Sequence, residues 1–224
     1  AYKSLRKNFK VDVFLIGNLD MDNVASLIKK YFKNRYIVSD NFEVMVDNKE
    51  TKKVKEKAMK SDNIQTNLVM LFNLKNLSEL EKNITLNCFN YLYGSGGLTS
   101  KLYKSIREEN SLCYAINSMY LKYDKLLMVQ ISLDNCNVKK ELKSMQNGNF
   151  SEEEVRDAIN NMVISLDMSL DNNIAILNNY VFNIYDKLPS IEERKEYFKK
   201  LTKEDIVNVS KKVKLNTIFT LEGR

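Results

Sequence analysis

The chain has 224 residues, of which 44% are hydrophobic and 29% charged, a composition that excludes wholesale disorder and supplies enough apolar material for a packed core. The net charge of +6 does not by itself indicate nucleic-acid binding, because basic residues alternate with acidic ones and the one dense lysine stretch, within residues 52–60, is typical of a protected edge strand. The sequence contains no histidine, which excludes Ser-His and Cys-His nucleophile pairs.

The first predicted elements are one strand and one helix. Residues 11–16 form an apolar run that predicts a buried strand, ended by Gly17. Asp20 or Asp22 can then cap a helix whose apolar residues share one side: Val24, Leu27, Ile28 and Tyr31. The stretch that follows is polar and irregular, as in a linker.

Two further strands, at about residues 54–59 and 65–74, precede a pair of helices. Ser78 and Glu81 form a capping box at the start of the first helix. The apolar residues that follow at helical spacing are Leu80, Ile84, Cys88, Tyr91 and Leu92. The glycine-rich segment, residues 94–97, then breaks the chain before a second helix marked by Leu98, Leu102 and Ile106.

The last third begins with a strand pair at about residues 113–121 and 126–133, joined by a tight turn at 123–125. In the second strand, hydrophobic and polar residues alternate as in a half-buried antiparallel sheet. Mostly helical sequence follows, with capping-box patterns that begin at Ser151 and Ser190 and a cap at Thr202. A final strand is predicted at about residues 215–221.

Strand pairs that alternate with groups of helices predict an α+β fold, a mostly antiparallel sheet with helices packed on one face. We interpret residues 1–33 as the strand–helix end of a preceding domain, 34–50 as a linker and 51–224 as the C-terminal domain. The chain begins with Ala1, not methionine, which suggests a fragment of a longer protein. Its start lacks the apolar core of a signal peptide, and it has no run long enough to span a membrane.

Three widely spaced cysteines, Cys88, Cys113 and Cys136, argue against a disulfide framework or a structural zinc site and favour a reducing, cytoplasmic location. The glycine-rich segment has an ordinary structural explanation and an alternative one as a phosphate-binding loop. Gly94 is well placed to end a helix in a left-handed cap. A phosphate-binding loop is disfavoured, because the glycines follow a helix and the Walker lysine spacing is absent.

The run from Gly96 to Ala115 carries the most specific signal. It contains Gly-Gly, then Ser-Lys-Leu, then Arg-Glu-Glu and finally Leu-Cys-Tyr-Ala. This order resembles the second-half domains of the pitrilysin/insulinase-type zinc peptidases, the inverzincins, and is closest to their bacterial processing-protease-like members. Residues 14–20 and 148–154 are also similar to the family, although Glu109 and Ser111 depart from its usual Lys and Gly.

The resemblance implies that this chain forms one half of a clamshell. In this family the first half binds zinc through His-x-x-Glu-His, whereas the second supplies an Arg and a Tyr, seven residues apart, that contact the substrate backbone. The matching residues here are Arg107 and Tyr114, with Gly96 and Gly97 as further substrate-binding residues. The resemblance assigns no catalytic or metal-binding residue to this chain, and zinc is expected, if at all, in the other half.

We therefore predict the C-terminal half of a zinc metalloendopeptidase, inactive alone, whose partners are a peptide or protein substrate and an N-terminal half or homologous subunit, as a dimer. The alternative is a non-catalytic scaffold and substrate-binding subunit of a heterodimeric processing-peptidase-like complex. A nucleic-acid-binding module is a third, less favoured reading, since it rests on charge alone.

Overall fold

The computed structural model describes residues 12–32, 53–105, 116–132 and 138–224, and the chain falls into two compact units. Unit 1 comprises Ala1–Met45 and Asp167–Ser190. Unit 2 comprises Val46–Leu166 and Ile191–Arg224.

Unit 2 contains a five-stranded sheet in the order β1-β5-β2-β4-β3. Strand β1 pairs parallel with β5, and the other three pairs are antiparallel. The strands are β1 (Lys55–Lys60), β2 (Asn67–Leu74), β3 (Ile116–Leu121), β4 (Leu126–Ser132) and β5 (Val213–Glu222). The sheet is therefore mostly antiparallel, as the sequence predicts.

Helices pack against one face of this sheet. Helix α2 spans residues 81–95 and combines a π-helical turn (Glu81–Thr85), an α-helical turn (Leu86–Asn90) and a second π-helical turn (Tyr91–Ser95). A 3-10 turn, Gly97–Thr99, and the short helix α3, Lys101–Tyr103, follow it. The later helices are α4 (Val138–Gln146), α5 (Glu152–Ser169, which runs into unit 1), α7 (Ile191–Lys199) and α8 (Lys203–Ser210).

The core lies between the sheet and these helices. Alternate residues of the central strands point into it, including Met70, Phe72, Leu127, Val129 and Ile131. From the helices come Ile84, Phe89, Tyr93, Leu102, Val155 and Ile206. The sequence alternation thus identifies the covered face correctly, and the chain has the predicted α+β fold.

Unit 1 contains helix α1, Met21–Tyr31, and helix α6, Asn173–Asp186. Asp20 caps α1, because its carboxylate accepts hydrogen bonds from the backbone N–H groups of Asp22 and Asn23. The strand predicted at residues 11–16 is not formed over 12–16, and Val13, Leu15 and Ile16 are exposed. A strand needs a ladder partner, and no described residue supplies one.

The predicted capping boxes at Ser78–Glu81 and Ser151–Glu154 are both present.

The predicted boundaries near residues 33 and 50 lie outside the described residues and stay predictions. None of the described helices is both long and apolar enough to cross a bilayer.

Candidate substrate-binding site

The glycine-rich segment joins helix α2 to helix α3, and Gly94 is its most tightly packed member. Its backbone is not left-handed, so the predicted left-handed cap at Gly94 is wrong. Instead, a β-carbon on Gly94 would lie 2.6 Å from Oγ of Ser118 on β3 and 2.9 Å from Cδ1 of Leu102. Glycine is required here because helix, strand and the next helix meet at this point.

Gly96 and Gly97, the two predicted substrate-binding glycines, differ in the space that surrounds a β-carbon placed on each. A β-carbon on Gly96 would lie 2.6 Å from the carbonyl oxygen of Tyr91, so the backbone leaves no space for a side chain. Gly97 has φ +61°, a left-handed conformation, but nothing lies within 4 Å of a β-carbon placed on it. The segment therefore presents open backbone at Gly97, where a ligand can approach closely.

Hydroxyl groups fix the turn that follows. Ser100, which is buried, donates a hydrogen bond of 2.8 Å to the carbonyl of Gly97 and caps α3 by accepting from the N–H of Tyr103. Thr99 donates to the carbonyl of Gly96 at 3.0 Å. Side chains of the Thr-Ser pair thus hold the glycine backbone in one arrangement.

An ion pair anchors α3 to the start of α5. Nζ of Lys101 lies 2.7 and 2.9 Å from the two carboxylate oxygens of Glu154, and Nζ of Lys104 lies 3.7 Å away. Glu154 also accepts from the N–H of Ser151 in the capping box at 2.8 Å. Burial alone would raise the pKa of Glu154, but the hydrogen bonds from Lys101 and Ser151 and the lysine charges outweigh it, so the pKa lies below its ordinary value.

A buried polar contact fixes β3 against α2 on the other side of the predicted site. The hydroxyl of Ser118 donates to Oδ1 of Asn90 at 2.6 Å, and Nδ2 of Asn90 donates to the carbonyl of Ser118 at 3.4 Å. Both side chains are almost completely buried. Because an unpaired polar group would be expensive at this depth, the pair specifies how strand and helix meet.

Arg107 and Tyr114 fall within residues 106–115, outside the described residues, so their proposed roles stay predictions. The described neighbours on either side are Ser105, which is buried, and Ile116, where β3 begins. The chain therefore enters and leaves this stretch through α3 and β3, the two elements held by the Lys101–Glu154 and Asn90–Ser118 contacts.

The face of the sheet that points away from the core, here called the outer face, carries apolar and polar residues in equal number in its two central rows. The strand register places two rows across all five strands, one being Met119, Met128, Leu71, Thr217 and Lys55 and the other Asn117, Gln130, Val69, Phe219 and Lys57. None of these side chains belongs to the core, and Met119 is 44% exposed. The outer face offers apolar area bordered on β1 by two lysines.

The described residues offer neither a metal-ligand cluster nor an ionised thiol at Cys88. No group of three or more His, Cys, Asp or Glu side chains lies close enough among them to hold a metal ion. Burial raises the pKa of the Cys88 thiol to about 12, so this cysteine stays protonated and unreactive. With no histidine in the sequence, the residues present do not fit a zinc site.

Sequence reasoning missed the Lys101–Glu154 pair and the close approach at Gly94. The capping box identifies Glu154 as a helix-start residue, but nothing in the sequence pairs it with a lysine 53 positions earlier. Gly94 could be singled out only as a helix breaker, since its neighbours Ser118 and Leu102 come from other elements.

Comparisons with known proteins agree with this architecture. The family model of the peptidase M16 inactive domain matches residues 1–162. A curated relative, the probable inactive metalloprotease YmfF of Bacillus subtilis, is 25% identical over 236 residues, an alignment that covers 100% of this chain and 54% of the relative. The chain therefore spans about half the length of that relative.

Two solved structures share the fold. A conserved protein from Enterococcus faecalis superposes with a TM-score of 0.81 at 22% identity, covering 93% of this chain and 51% of that one. A protease from Helicobacter pylori superposes with a TM-score of 0.74 at 14% identity, covering 92% of this chain and 53% of that one. Since the family model matches well over half of the chain, the chain belongs to the peptidase M16 family and carries its inactive domain.

Proposed function

We propose that this chain is the metal-free, C-terminal half of a zinc metalloendopeptidase, supplying one wall of the substrate chamber while the other half holds zinc. The observation that carries the proposal is the match to the inactive domain of a peptidase family in a chain that has no histidine. Zinc, in the other half, would polarise the peptide carbonyl and activate water. The work left to this half is to bind and orient the peptide.

In this proposal Arg107 and Tyr114 donate hydrogen bonds to the substrate. A guanidinium and a phenol are both donors, and they stabilise the oxygen of a peptide carbonyl most strongly when it becomes an oxyanion. Such donors work only if they are held in place before the substrate arrives. The contacts of Lys101 with Glu154 and of Asn90 with Ser118 support the proposal, because they anchor the elements on either side of the two residues.

Gly97 and the outer face complete the proposed wall. The space next to Gly97 allows peptide backbone to approach closely, and the apolar residues of the outer face, which include Leu71, Met128 and Phe219, offer contact area for apolar side chains of a substrate. Lys55 and Lys57 border these rows and would favour acidic side chains at that end.

The second candidate is a non-catalytic, substrate-binding partner within a heterodimer. The name of the Bacillus subtilis relative, a probable inactive metalloprotease, favours this reading. Both proposals share the peptide-binding role and differ only in whether the other half retains His-x-x-Glu-His. The coding sequence upstream of Ala1 and in neighbouring genes decides between them.

Reconstitution tests the proposed roles. The chain is mixed with the candidate zinc-binding half, and cleavage of a quenched fluorescent peptide is followed with and without a chelator. We expect Arg107→Ala and Tyr114→Phe each to lower kcat/KM by about 10²-fold, the usual effect of losing one oxyanion donor. Arg156→Ala and Tyr197→Phe, matched changes at sites away from the candidate site, should leave it unchanged.

Unchanged cleavage by the Arg107 and Tyr114 variants would show that neither residue contacts the substrate. If the pair binds the peptide but never cleaves it, and the same two variants weaken that binding, the non-catalytic partner is the correct reading.

A further inference from the structure

The charged residues on the outer face of the sheet all have the same sign. Beside the two rows given above, strand pairing forms a third row of outward side chains: Leu121, Leu126, Asn73 and Lys214. Lys57, Lys55 and Lys214 each lie in a different one of these three consecutive rows. The outward side chains of the five described strands include no aspartate and no glutamate. This face of unit 2 is therefore positively charged.

No described residue neutralises these three lysines. Lys55, Lys57 and Lys214 are exposed, and none of them forms an ion pair with a residue that the structure describes. Glu56 lies between two of them in the sequence, but successive side chains of a strand alternate, so its carboxylate points to the opposite face. The three ammonium groups can therefore pair with carboxylates of another molecule.

A β-bulge places the third lysine on this face. Lys214 and Thr217 are three positions apart and would point to opposite faces in a regular strand. The register of β5 against β2 shifts between Leu71 and Phe72, so β5 has one extra residue there and both side chains point outward. The bulge is thus what brings Lys214 into the row next to that of Lys55.

Buried hydrogen bonds hold the bulge in place. Nδ2 of Asn216 donates to Oδ1 of Asn73 at 2.9 Å, and the hydroxyl of Thr217 donates to Oδ1 of Asn216 at 2.8 Å. Both asparagine side chains are almost completely buried. Because leaving such groups unpaired would be costly, the bulge and the outward direction of Lys214 are fixed before any ligand binds.

Protection of an exposed sheet edge explains only part of this arrangement. Lysines on an edge strand such as β1 discourage pairing with other chains. That role needs charge but no particular face, and Lys60 serves it from the other face of β1. It gives no reason for the bulge that turns Lys214 outward on β5, which is not the edge strand of the sheet.

The sheet order sets the distance between the lysines and the other edge. Strand β3 lies four strand spacings from β1, which corresponds to about 19 Å at about 4.8 Å per spacing. An extended peptide crosses that distance with about six residues. Strand β3 begins at Ile116, two positions after Tyr114 in the sequence. A peptide bond beside Tyr114 is thus about six residues from the lysines of β1.

We infer that the preferred substrates are peptides with acidic side chains about six residues from the scissile bond, and that Lys55, Lys57 and Lys214 determine this preference. The inference rests on the proposed function, because it takes the scissile bond to lie beside Arg107 and Tyr114. Several exposed charge pairs act together, each one weak and each one sensitive to salt.

Matched peptides test the preference on the parent protein. Two quenched fluorescent peptides share one cleavage sequence and differ only in an Asp-Asp or an Asn-Asn pair about six residues from the cleaved bond, on either side of it. With the reconstituted pair of halves, we expect kcat/KM to be on the order of 5–10-fold higher for the Asp peptide. An Asp-Asp pair placed next to the cleaved bond should give no such advantage. The preference should shrink from 0.1 M to 1 M salt, because the Debye length falls from about 10 Å to about 3 Å.

Substitutions on β1 test the residues. The double variant Lys55→Gln, Lys57→Gln should lose most of the preference, and Lys214→Gln should lose a smaller part. Lys60→Gln removes an exposed lysine from the other face of the same strand and should keep the preference. Lys55→Glu with Lys57→Glu should reverse it towards a Lys-Lys peptide. All of these sites are exposed, so unfolding midpoints should stay close to that of the parent.

Binding measured without cleavage separates this inference from the proposed function. Fluorescence anisotropy of the same peptides is followed with the pair of halves in the presence of a chelator. Equal Kd and equal kcat/KM for the Asp and Asn peptides would overturn the inference and leave the peptidase function standing. Salt-sensitive preference for the Asp peptide in binding, with no cleavage in the absence of chelator, would remove the enzymatic function and keep the lysines as the source of selectivity.

Two further outcomes would also overturn the inference. One is an equal loss of preference in Lys60→Gln and in the double glutamine variant, which would show that charge on β1 acts without regard to face. The other is binding of a single-stranded oligonucleotide more tightly than the Asp peptide, abolished by the same double variant, which would assign the lysines to nucleic acid.

Discussion

Units 1 and 2 are built from similarly apolar sequence but use it in opposite ways. In unit 2, Phe72, Phe89 and Tyr93 are fully buried between the sheet and its helices. In unit 1, no described residue is buried, and aromatic residues such as Tyr31 and Tyr180 face solvent. The hydrophobic pattern of a segment therefore does not by itself show whether its side chains are buried within this chain.

The contrast separates two roles. Unit 2 is a folded scaffold that fixes the glycine-rich segment and its neighbours, whereas the described residues of unit 1 leave many of their apolar side chains exposed.

The largest loss of stability should come from removing a buried aromatic ring from the core of unit 2. Phe89→Ala is expected to lower the free energy of unfolding by about 3–5 kcal/mol, because a fully buried ring leaves a cavity. Phe182→Ala on α6 of unit 1 removes the same ring from a side chain that is 39% exposed and should lower it by about 1 kcal/mol or less. Urea unfolding followed by circular dichroism measures both values, and similar losses would contradict the contrast between the units.

A smaller effect is expected at the glycines of the candidate site. Gly94→Ala should lower the free energy of unfolding by about 1–3 kcal/mol, because its β-carbon would press on Ser118 and Leu102. Gly97→Ala faces open space and should lower it by about 1 kcal/mol, through its left-handed backbone alone. Thermal unfolding ranks the two, and a larger loss at Gly97 would show that close packing does not set the requirement for glycine.

The anchoring ion pair should show a pH dependence. Glu154→Gln is expected to lower the free energy of unfolding by about 1–2 kcal/mol near pH 7, where the carboxylate accepts from Lys101 and Ser151. Because folding lowers the pKa of Glu154, its contribution is present above the ordinary value of 4.5 and is lost as pH falls through the lower folded value. Parent and variant should therefore converge in acid.

Urea unfolding at a series of pH values measures this convergence. Glu196→Gln, in the exposed Lys199–Glu196 pair, is the control and should give no resolvable loss. A gap between parent and Glu154→Gln that stayed constant down to pH 3 would mean that ionisation of Glu154 does not stabilise the fold.

The smallest change in stability is expected for a substitution in unit 1. Tyr185→Phe removes the hydrogen bond to Asp12 from an exposed position, so the unfolding midpoint of the chain alone should not move measurably. Thermal unfolding followed by circular dichroism measures the midpoint, and a resolvable drop would show that this exposed bond stabilises the chain.

Much of unit 2 is predictable from sequence because its signals are local. Alternation in residues 126–132 identifies the buried face, and the Ser-x-x-Glu patterns at Ser78 and Ser151 fix helix starts. Such signals depend on residues two to four positions apart, which share one backbone geometry whatever the rest of the fold does.

Contacts between distant residues were not predictable. The Lys101–Glu154 pair, the Asn90–Ser118 contact and the close approach at Gly94 depend on how separate elements meet in space. The sequence also predicts a buried strand at residues 11–16, whereas residues 12–16 form a mostly exposed segment that is not a strand. The prediction failed because an apolar run does not show whether a ladder partner is available.

The most direct test of the central claim compares the chain alone with the chain paired to its histidine-bearing half. Zinc is added to each, and cleavage of a quenched fluorescent peptide is measured with and without chelator. The account predicts no turnover by this chain alone and chelator-sensitive turnover by the pair. Zinc-dependent cleavage by the isolated chain would contradict it.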